Sequence, residues 1–449
     1  MKRKLTLALA LLLCMSMLIG LAACGGDDPA TTTDNPPTDA PPTDAPPTDA
    51  PPTDPPPSAD DPPLEDVELT MASWRTDDVA AVTDLLAKYK ALVPNVTITF
   101  QPVNPPDYNS TLEMQLEAGT AADLMYARSY DVGQGLFNKG YLADCTGITG
   151  LMDNFAAGNL APWQMPDGKM FAVPFAAVSH GVYYNKDIFA DKGVSVPNTW
   201  AEFIDVCKTL KDAGVTPIAN GIADNWDILE CFFLSMVSNY VGVGATREQY
   251  ENGDKKFSDD AWVKAYTAIA EAAPYLPSGF QSVTYDDMMA LFASGGAAMA
   301  VDGSWTISVY DDVPFEWGVF AVPGPNDSKN INFHPDMAIG YNNATKYPEE
   351  CKAFLAWLCT QEGASTASAA LPTGFFPMID FSIQLTDPHA NEFLALNSGR
   401  EPDARFVWPK LMFLYGPMLD AVNGVLTGSL TPQAAADAVQ TAYENPPTD

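Results

Sequence analysis

Apolar positions fall along the chain in three regimes. From Leu5 to Ala23 they run almost unbroken behind the basic start "MKRK". Between Gly25 and Asp66 they nearly vanish, and Pro36–Pro57 repeats "PPTDA" with paired prolines. From Val67 they return in short periodic blocks. "VELTMASW" reads as a strand, and "DVAAVTDLLAKYKALV" sets apolar residues at helical spacing. "PNVTITFQPV" reads as a second strand, "YNSTLEMQLEAG" as a helix closed by Gly119, and "ADLMYA" as a third strand. Such strand–helix alternation predicts a parallel α/β sheet with ligands near the carboxyl ends of its strands. "FAVPFAAVSHGVYYN" interrupts the alternation with a long strand-rich run. The helix "TWAEFIDVCKTLKDAG" follows, with Thr199 and Glu202 at capping-box spacing. Residues 226–293 read as largely helical, "AAMAVDGSW" and "FEWGVFAVP" as strands, and the remainder as helical around the turn-rich "ALPTGFFPM".

The first apolar run approaches the length of a membrane span, so a retained helix is one reading. Its end argues otherwise: Leu21, Ala22 and Ala23 precede Cys24, which resembles a bacterial lipobox. That resemblance implies a lipoprotein signal peptide over residues 1–23, with cleavage before Cys24 and lipid on its sulfur. Residues 24–66 then form a Pro/Thr/Asp-rich tether. Proline lacks the amide donor and fixes φ, so the repeat forms neither helix nor sheet. Paired prolines favour polyproline II, and residues 25–66 would reach about 130 Å at about 3.1 Å per residue. A P-x-x-P recognition motif is the competing reading.

The chain's 449 residues exceed one compact core and suffice for two lobes after a leader is removed. The formal charge is −34; the leader carries three basic residues and residues 25–66 eleven acidic ones, leaving −26 for residues 67–449. A body that acidic repels nucleic acid and anionic lipid. It suits a neutral or cationic ligand without choosing between them. Apart from Cys14 and Cys24 the cysteines are Cys145, Cys207, Cys231, Cys351 and Cys359, an odd number without C-x-x-C spacing. Buried free thiols are expected. His180, His334 and His389 lie far apart in sequence and offer no evident zinc site, and no cofactor is implied. Hydrolase, metalloprotease, P-loop and dinucleotide motifs are missing, which, together with the family resemblance that follows, gives no enzyme as the expectation. A glycosidase carboxylate pair stays open, because only folding brings such acids together.

Several segments together resemble the extracellular solute-binding proteins of sugar ABC transporters, the maltose-binding-protein-like group (family 1). They are "LTMASW…LLAKYKALVPNVTITF", "LEAGTAADLMYA", "DGKMFAVPFAAVSHGVYYNKDIFADKGVSVPNTWAEF", "LFASGGAAMAVDGSW" and "WGVFAVPGP". They occur in the family's order and cover about Val67 to Thr441. The resemblance implies a two-lobed periplasmic-binding-protein-like fold (type II), with the ligand cleft between lobes joined by crossing hinge segments. Crossings are expected near Val173–Phe175, Asn330–Asp336 and Leu371–Pro377. Lobe 1 would comprise 67–174 plus 331–371, and lobe 2 175–330 plus 372–445. It further implies a monomer, lipid-anchored outside the membrane of a single-membrane bacterium, that captures a sugar or oligosaccharide and delivers it to separate permease subunits. The membrane is touched only through the anchor, and nucleic acid is no partner. The competing readings are a receptor for another solute such as a polyamine, a surface adhesin, or a glycosidase.

A pyranose offers one apolar face and a ring of hydroxyls, so it calls for aromatic rings and planar polar partners. Trp200, Trp262, Trp317 and Trp357 sit in helical or strand patterns and are expected in the core. Trp74 and Arg75 end the first strand, and Arg128, Ser129 and Tyr130 follow the third; relatives place ligand contacts at both turns. Trp226 and Asp227 open a helix where the family commonly has a cleft aromatic. Trp305, in "DGSW", is the position where maltose-binding-like relatives stack a sugar, and Gly303 beside it permits close approach. Tyr415 is the expected C-terminal cleft aromatic, with Trp408 as rival, and "NFHPDM" adds Asp336 with His334. The maltodextrin-binding members have Trp-x-x-Asp-Arg after the third strand, whereas this chain reads "YARSYD", so the cleft is not expected to copy a maltodextrin site.

Overall fold

In the computed structural model, residues 65–447 apart from Asn225 are described, and the expectations for the leader, Cys24 and the tether up to residue 64 lie outside them. The strands are β1 (Val67–Ser73), β2 (Val96–Pro102), β3 (Leu124–Ala127), β4 (Val173–Asn185), β5 (Thr216–Ile218), β6 (Ala297–Gly303), β7 (Trp317–Phe320), β8 (Asn330–Tyr341), β9 (Phe376–Pro377) and β10 (Glu401–Asp403). Their order is β2-β1-β3-β8-β4-β6-β5, with β7 and β9 against β4 and β10 against β8.

The first three strands follow the sequence pattern. β1 pairs in parallel with β2 (Val67 opposite Val96) and with β3 (Met71 opposite Leu124). Helices Val79–Leu92 and Pro105–Ala118 connect them, and Gly119 closes the second at φ 68°, a conformation that favours glycine. The capping box at Thr199 forms as expected: its hydroxyl accepts from the Glu202 amide, and the Glu202 carboxylate accepts from Thr199.

Two expectations need correction. The sheet is mixed, because β8 runs antiparallel to both β3 and β4, and β4 antiparallel to β6. Residues 330–341, taken only as a crossing before a helical remainder, form the twelve-residue strand β8. Pro335 hid that strand, since a proline removes a ladder donor and argues against a central strand. The chain accommodates it with a bulge. Ala176 faces Met337 and Ala177 faces Pro335, leaving Asp336 as the extra residue on β8; Phe175 is likewise extra on β4, between Pro174 and Ala176. Bulges bend a strand and re-aim a side chain, and this one presents Asp336 differently from its neighbours.

Two apolar cores result. One gathers Leu69, Met71, Leu124, Leu151 and Ala338 around the β1–β3 half. The other gathers Phe203, Phe232, Trp262, Val301 and Val422 around the β5–β6 half. Trp200, Trp262 and Trp317 are buried as expected, and Trp357 packs half-buried on Tyr89 and Phe354. All five cysteines of the body are buried free thiols.

Candidate functional site

The carboxyl ends of β1 and β3 deliver the first group of side chains. Trp74 is only 4 % exposed; Tyr108 and Tyr126 meet it edge-on at 5.4 and 5.6 Å. The Arg128 guanidinium lies over its ring, 3.7 Å from the centroid. This face of Trp74 therefore serves as a plate under a cation. Arg75 forks onto Asp78 through Nε and Nη2, both at 2.8 Å, with Phe375 4.9 Å away. Ser129 occupies the N-cap position of helix Tyr130–Asn138. Tyr130 has φ 54°, the one left-handed non-glycine residue among those described, and backbone strain of this kind concentrates at functional sites.

A second group forms an aromatic face. Tyr285 lies 4.7 Å from Trp226, and Trp226 lies 6.1 Å from Trp305, ring centre to ring centre. Trp305 Nε1 donates to the Tyr285 hydroxyl at 2.8 Å, and that hydroxyl donates to Asp302 Oδ2 at 2.8 Å. Asp302 is fully buried and also accepts from the Gly303 amide. Burial pushes its carboxyl up to about 7 despite those donors. Gly303 is required here, because a Cβ would fall 2.1 Å from the Trp305 ring. Asp227 belongs to the support. It is 2 % exposed and accepts from Asn220, which also clamps the Val301 backbone of β6. Burial raises Asp227 to about 6. The π-helical turn Ile228–Phe233 starts beside it and carries Glu230 inward.

Between these groups Arg405 organises a buried polar network. Its Nη1 pairs with Glu230, its Nη2 donates to Asp336 at 2.8 Å, and its Nε donates to His334 Nε2 at 3.1 Å. The Tyr415 hydroxyl donates to the other Glu230 oxygen at 2.6 Å. His334 Nδ1 donates to the Pro335 carbonyl, which fixes the neutral tautomer that accepts from Arg405. His180 lies against it, Nε2 to Nε2 3.4 Å, and meets Trp305 edge-on at 5.4 Å. Burial lowers both histidines, and the Arg405 charge lowers His180 further. These two histidines, remote in sequence, are neighbours because β4 and β8 pair. Among the described residues no group of three or more metal-binding side chains forms.

The structure thus brings Arg128, Ser129, Tyr130, His334, Asp336, Ala404, Arg405 and Trp408 around one crevice of about 240 Å3, part of it open to solvent. Trp226 and Trp305 connect to it through His180. Trp408 lines the crevice, and Tyr415 stands behind it on Glu230. Sequence reasoning missed His180, Glu230, Tyr285, Asp302 and Arg405. Glu230 and Tyr285 sit in helical text resembling any other, and Arg405 lies in an irregular stretch. Asp302 carried a usable signal, as a carboxylate inside the apolar run "AAMAVDG" that had to find buried donors.

The model of the bacterial extracellular solute-binding protein family matches residues 72–365. The multiple sugar-binding protein of Streptococcus mutans is 26 % identical over 279 residues, covering 59 % of this chain and 65 % of that one, just under two thirds of its length. The maltotriose-binding protein of Pyrococcus abyssi is 23 % identical over 79 % of this chain and 74 % of its own. A solved structure from work on xylan utilization by Caldanaerobius polysaccharolyticus superposes with a TM-score of 0.75 at 21 % identity, covering 83 % of this chain and 99 % of that one. That last likeness establishes the two-lobed type II fold.

Proposed function

The chain belongs to the bacterial extracellular solute-binding protein family, and from that premise we propose that it captures a sugar or short oligosaccharide outside the cell and hands it to the permease of an ABC transporter. The observation carrying this reading is the Trp226–Tyr285–Trp305 face beside a crevice of charged and hydroxyl-bearing side chains. An aromatic face matches the C–H side of a sugar ring, and planar polar groups match its hydroxyls. The names of the relatives from Streptococcus mutans and Pyrococcus abyssi agree with a sugar.

In this reading lobe 1 is 67–174 plus 331–371 and lobe 2 is 175–330 plus 372–445. Continuous strands β4 and β8, with β9 paired to β4, support hinges near those boundaries. Arg128 and Ser129 of lobe 1 face Arg405 and Trp408 of lobe 2 across the crevice, which lobe closure would tighten around the solute. Trp74 and Arg75 back the lobe 1 wall, and Asp227, Asp336 and Tyr415 hold groups that face the solute. The reading contains no chemical step. Lipid on Cys24 and the tether of residues 24–66 would keep the monomeric receptor at the outer membrane face of a single-membrane bacterium.

Titration with mono- and oligosaccharides, followed by melting temperature, tests the capture. A ligand at 100 times its Kd adds about 2.7 kcal/mol to stability. Trp305→Ala is expected to abolish the sugar-induced rise. A rise of equal size in that variant removes Trp305 from the site, and cleavage of the added oligosaccharide overturns the binding reading. For the anchor, Cys24→Ala is expected to release the protein from the membrane fraction.

A further inference from the structure

The crevice holds several donors without acceptors beside a single carboxylate, Asp336. The Arg128 Nε is buried without an acceptor, and its close partner is the face of Trp74. Arg75, Arg247 and Arg405 each hold a carboxylate within 3.0 Å, whereas Arg128 pairs with none among the described residues. Trp408 Nε1 is buried in the same condition. Ser129 is 6 % exposed and caps helix Tyr130–Asn138 by position, yet its hydroxyl makes no capping bond. The first amides of that helix have no intrahelical acceptors and carry the positive end of its dipole. Arg405 brings a second guanidinium. The acceptors present are engaged by it: one Asp336 oxygen and His334 Nε2.

The Arg128 guanidinium is partly buried with its Nε unpaired, and the acid that acts on it, Asp336, already accepts from Arg405, so its compensation is incomplete. Burial pulls Arg128 down, with the Asp336 charge opposing it, and burial followed by the Arg128 charge pulls Arg405 down to about 9. A neutral hydroxyl satisfies one or two donors but adds no charge to share Asp336's load between Arg128 and Arg405. An anionic oxygen group satisfies several donors at once and supplies the charge.

We propose that the solute seated in this crevice carries an acidic group, a sugar carboxylate or a sugar phosphate ester, bound by Arg128, Ser129, Trp408 and the N-terminal amides of helix Tyr130–Asn138. The inference rests on the capture reading above and narrows its substrate class. The free Asp336 oxygen takes a hydroxyl of the same sugar. His180, between His334 and Trp305, joins the acid-binding end to the aromatic face.

Isothermal titration of the full chain tests it with matched pairs: glucose against glucuronate, galactose against galacturonate, glucose against glucose 6-phosphate, and inorganic phosphate alone. In at least one pair the acid should bind at least tenfold more tightly than its neutral parent. Arg128→Gln should bring that acid to within twofold of its parent. Should Arg128→Gln not fold, Trp408→Phe removes one donor while keeping a ring, and should weaken the acid severalfold more than the parent. A uronate preference identifies the carboxylate, and a preference for glucose 6-phosphate identifies the ester. Neutral sugars binding as tightly as their acids overturn the inference and leave sugar capture standing. Inorganic phosphate binding with no sugar bound sustains the anion site and overturns sugar capture. No binding by any acid probe overturns the inference.

Discussion

On the aromatic side of the site, the polar atoms of Trp305 and Tyr285 are consumed in a chain that ends on buried Asp302. On the crevice side, Arg128 and Trp408 keep buried donors without acceptors, and Arg405 holds two acids and a histidine together. The first region is satisfied and presents apolar faces; the second is charged and incompletely satisfied. The contrast teaches where each side's energy resides. The aromatic face is built to be kept rigid and contribute contact area, whereas the crevice is built to be completed by something else.

The largest effect is expected where the contrast is sharpest. Arg405→Met strands Glu230 and Asp336 as buried acids, and should destabilise the protein by about 3–5 kcal/mol in urea unfolding. A loss below about 1 kcal/mol would mean that the network is solvated and that the crevice is no different from ordinary surface. Next comes Trp305→Ala, expected to weaken sugar binding by at least about 2 kcal/mol, the scale of an interface hot spot, by titration calorimetry. A loss confined to stability would assign Trp305 to packing.

The third prediction concerns pH. Asp302 is raised in the folded state to about 7, above the 3.8 of a free aspartate. Its folded form thus binds a proton that the unfolded chain has lost. Its contribution is fully present below pH 4 and is lost as pH rises through 7. Within that window its share of the slope is about −1.4 kcal/mol per pH unit. His180 and His334 act in the opposite sense. Their folded values are lowered, so their contribution is present above pH 6.5 and fades as pH falls. Asp302→Asn isolates the carboxyl: the stability difference between parent and variant should change across pH 4–7 and level off above it. A constant difference would show that Asp302 does not titrate there. The smallest effect is expected for Tyr285→Phe, which removes the hydroxyl between Trp305 and Asp302. It should cost about 1–2 kcal/mol of stability, with binding weakened less than by Trp305→Ala. Equal losses of binding would make the hydroxyl a ligand contact.

Much of the fold was legible because its signals are local. Periodicity marked β1 to β3 and their helices, Gly119 marked a helix end, and Thr199 with Glu202 marked a helix start. β8 was not legible, because Pro335 masks a strand that tolerates it only through a bulge paired with β4. The candidate site divided in the same way. Trp305, Arg128 and Ser129 lie just past strand ends, and Asp336 beside an expected crossing, where sequence context marks them as candidates. His180, Glu230 and Arg405 acquire meaning only from one another across 71 to 175 positions.

The sequence by itself determined the α/β character, the three regimes of the chain, and the aromatic and charged residues from which a solute site is made. These follow from nearest-neighbour periodicity and backbone chemistry, which need no distant partner. Only the tertiary structure decided how β4 and β8 pair, and hence that two histidines touch and that Arg405 is neutralised. The same pairing and packing leave Arg128 without a close ion pair among the described residues, sharing Asp336 with Arg405 at a distance. Charge compensation in a buried site depends on separations of a few ångströms between residues far apart in the chain, and one strand register sets those separations.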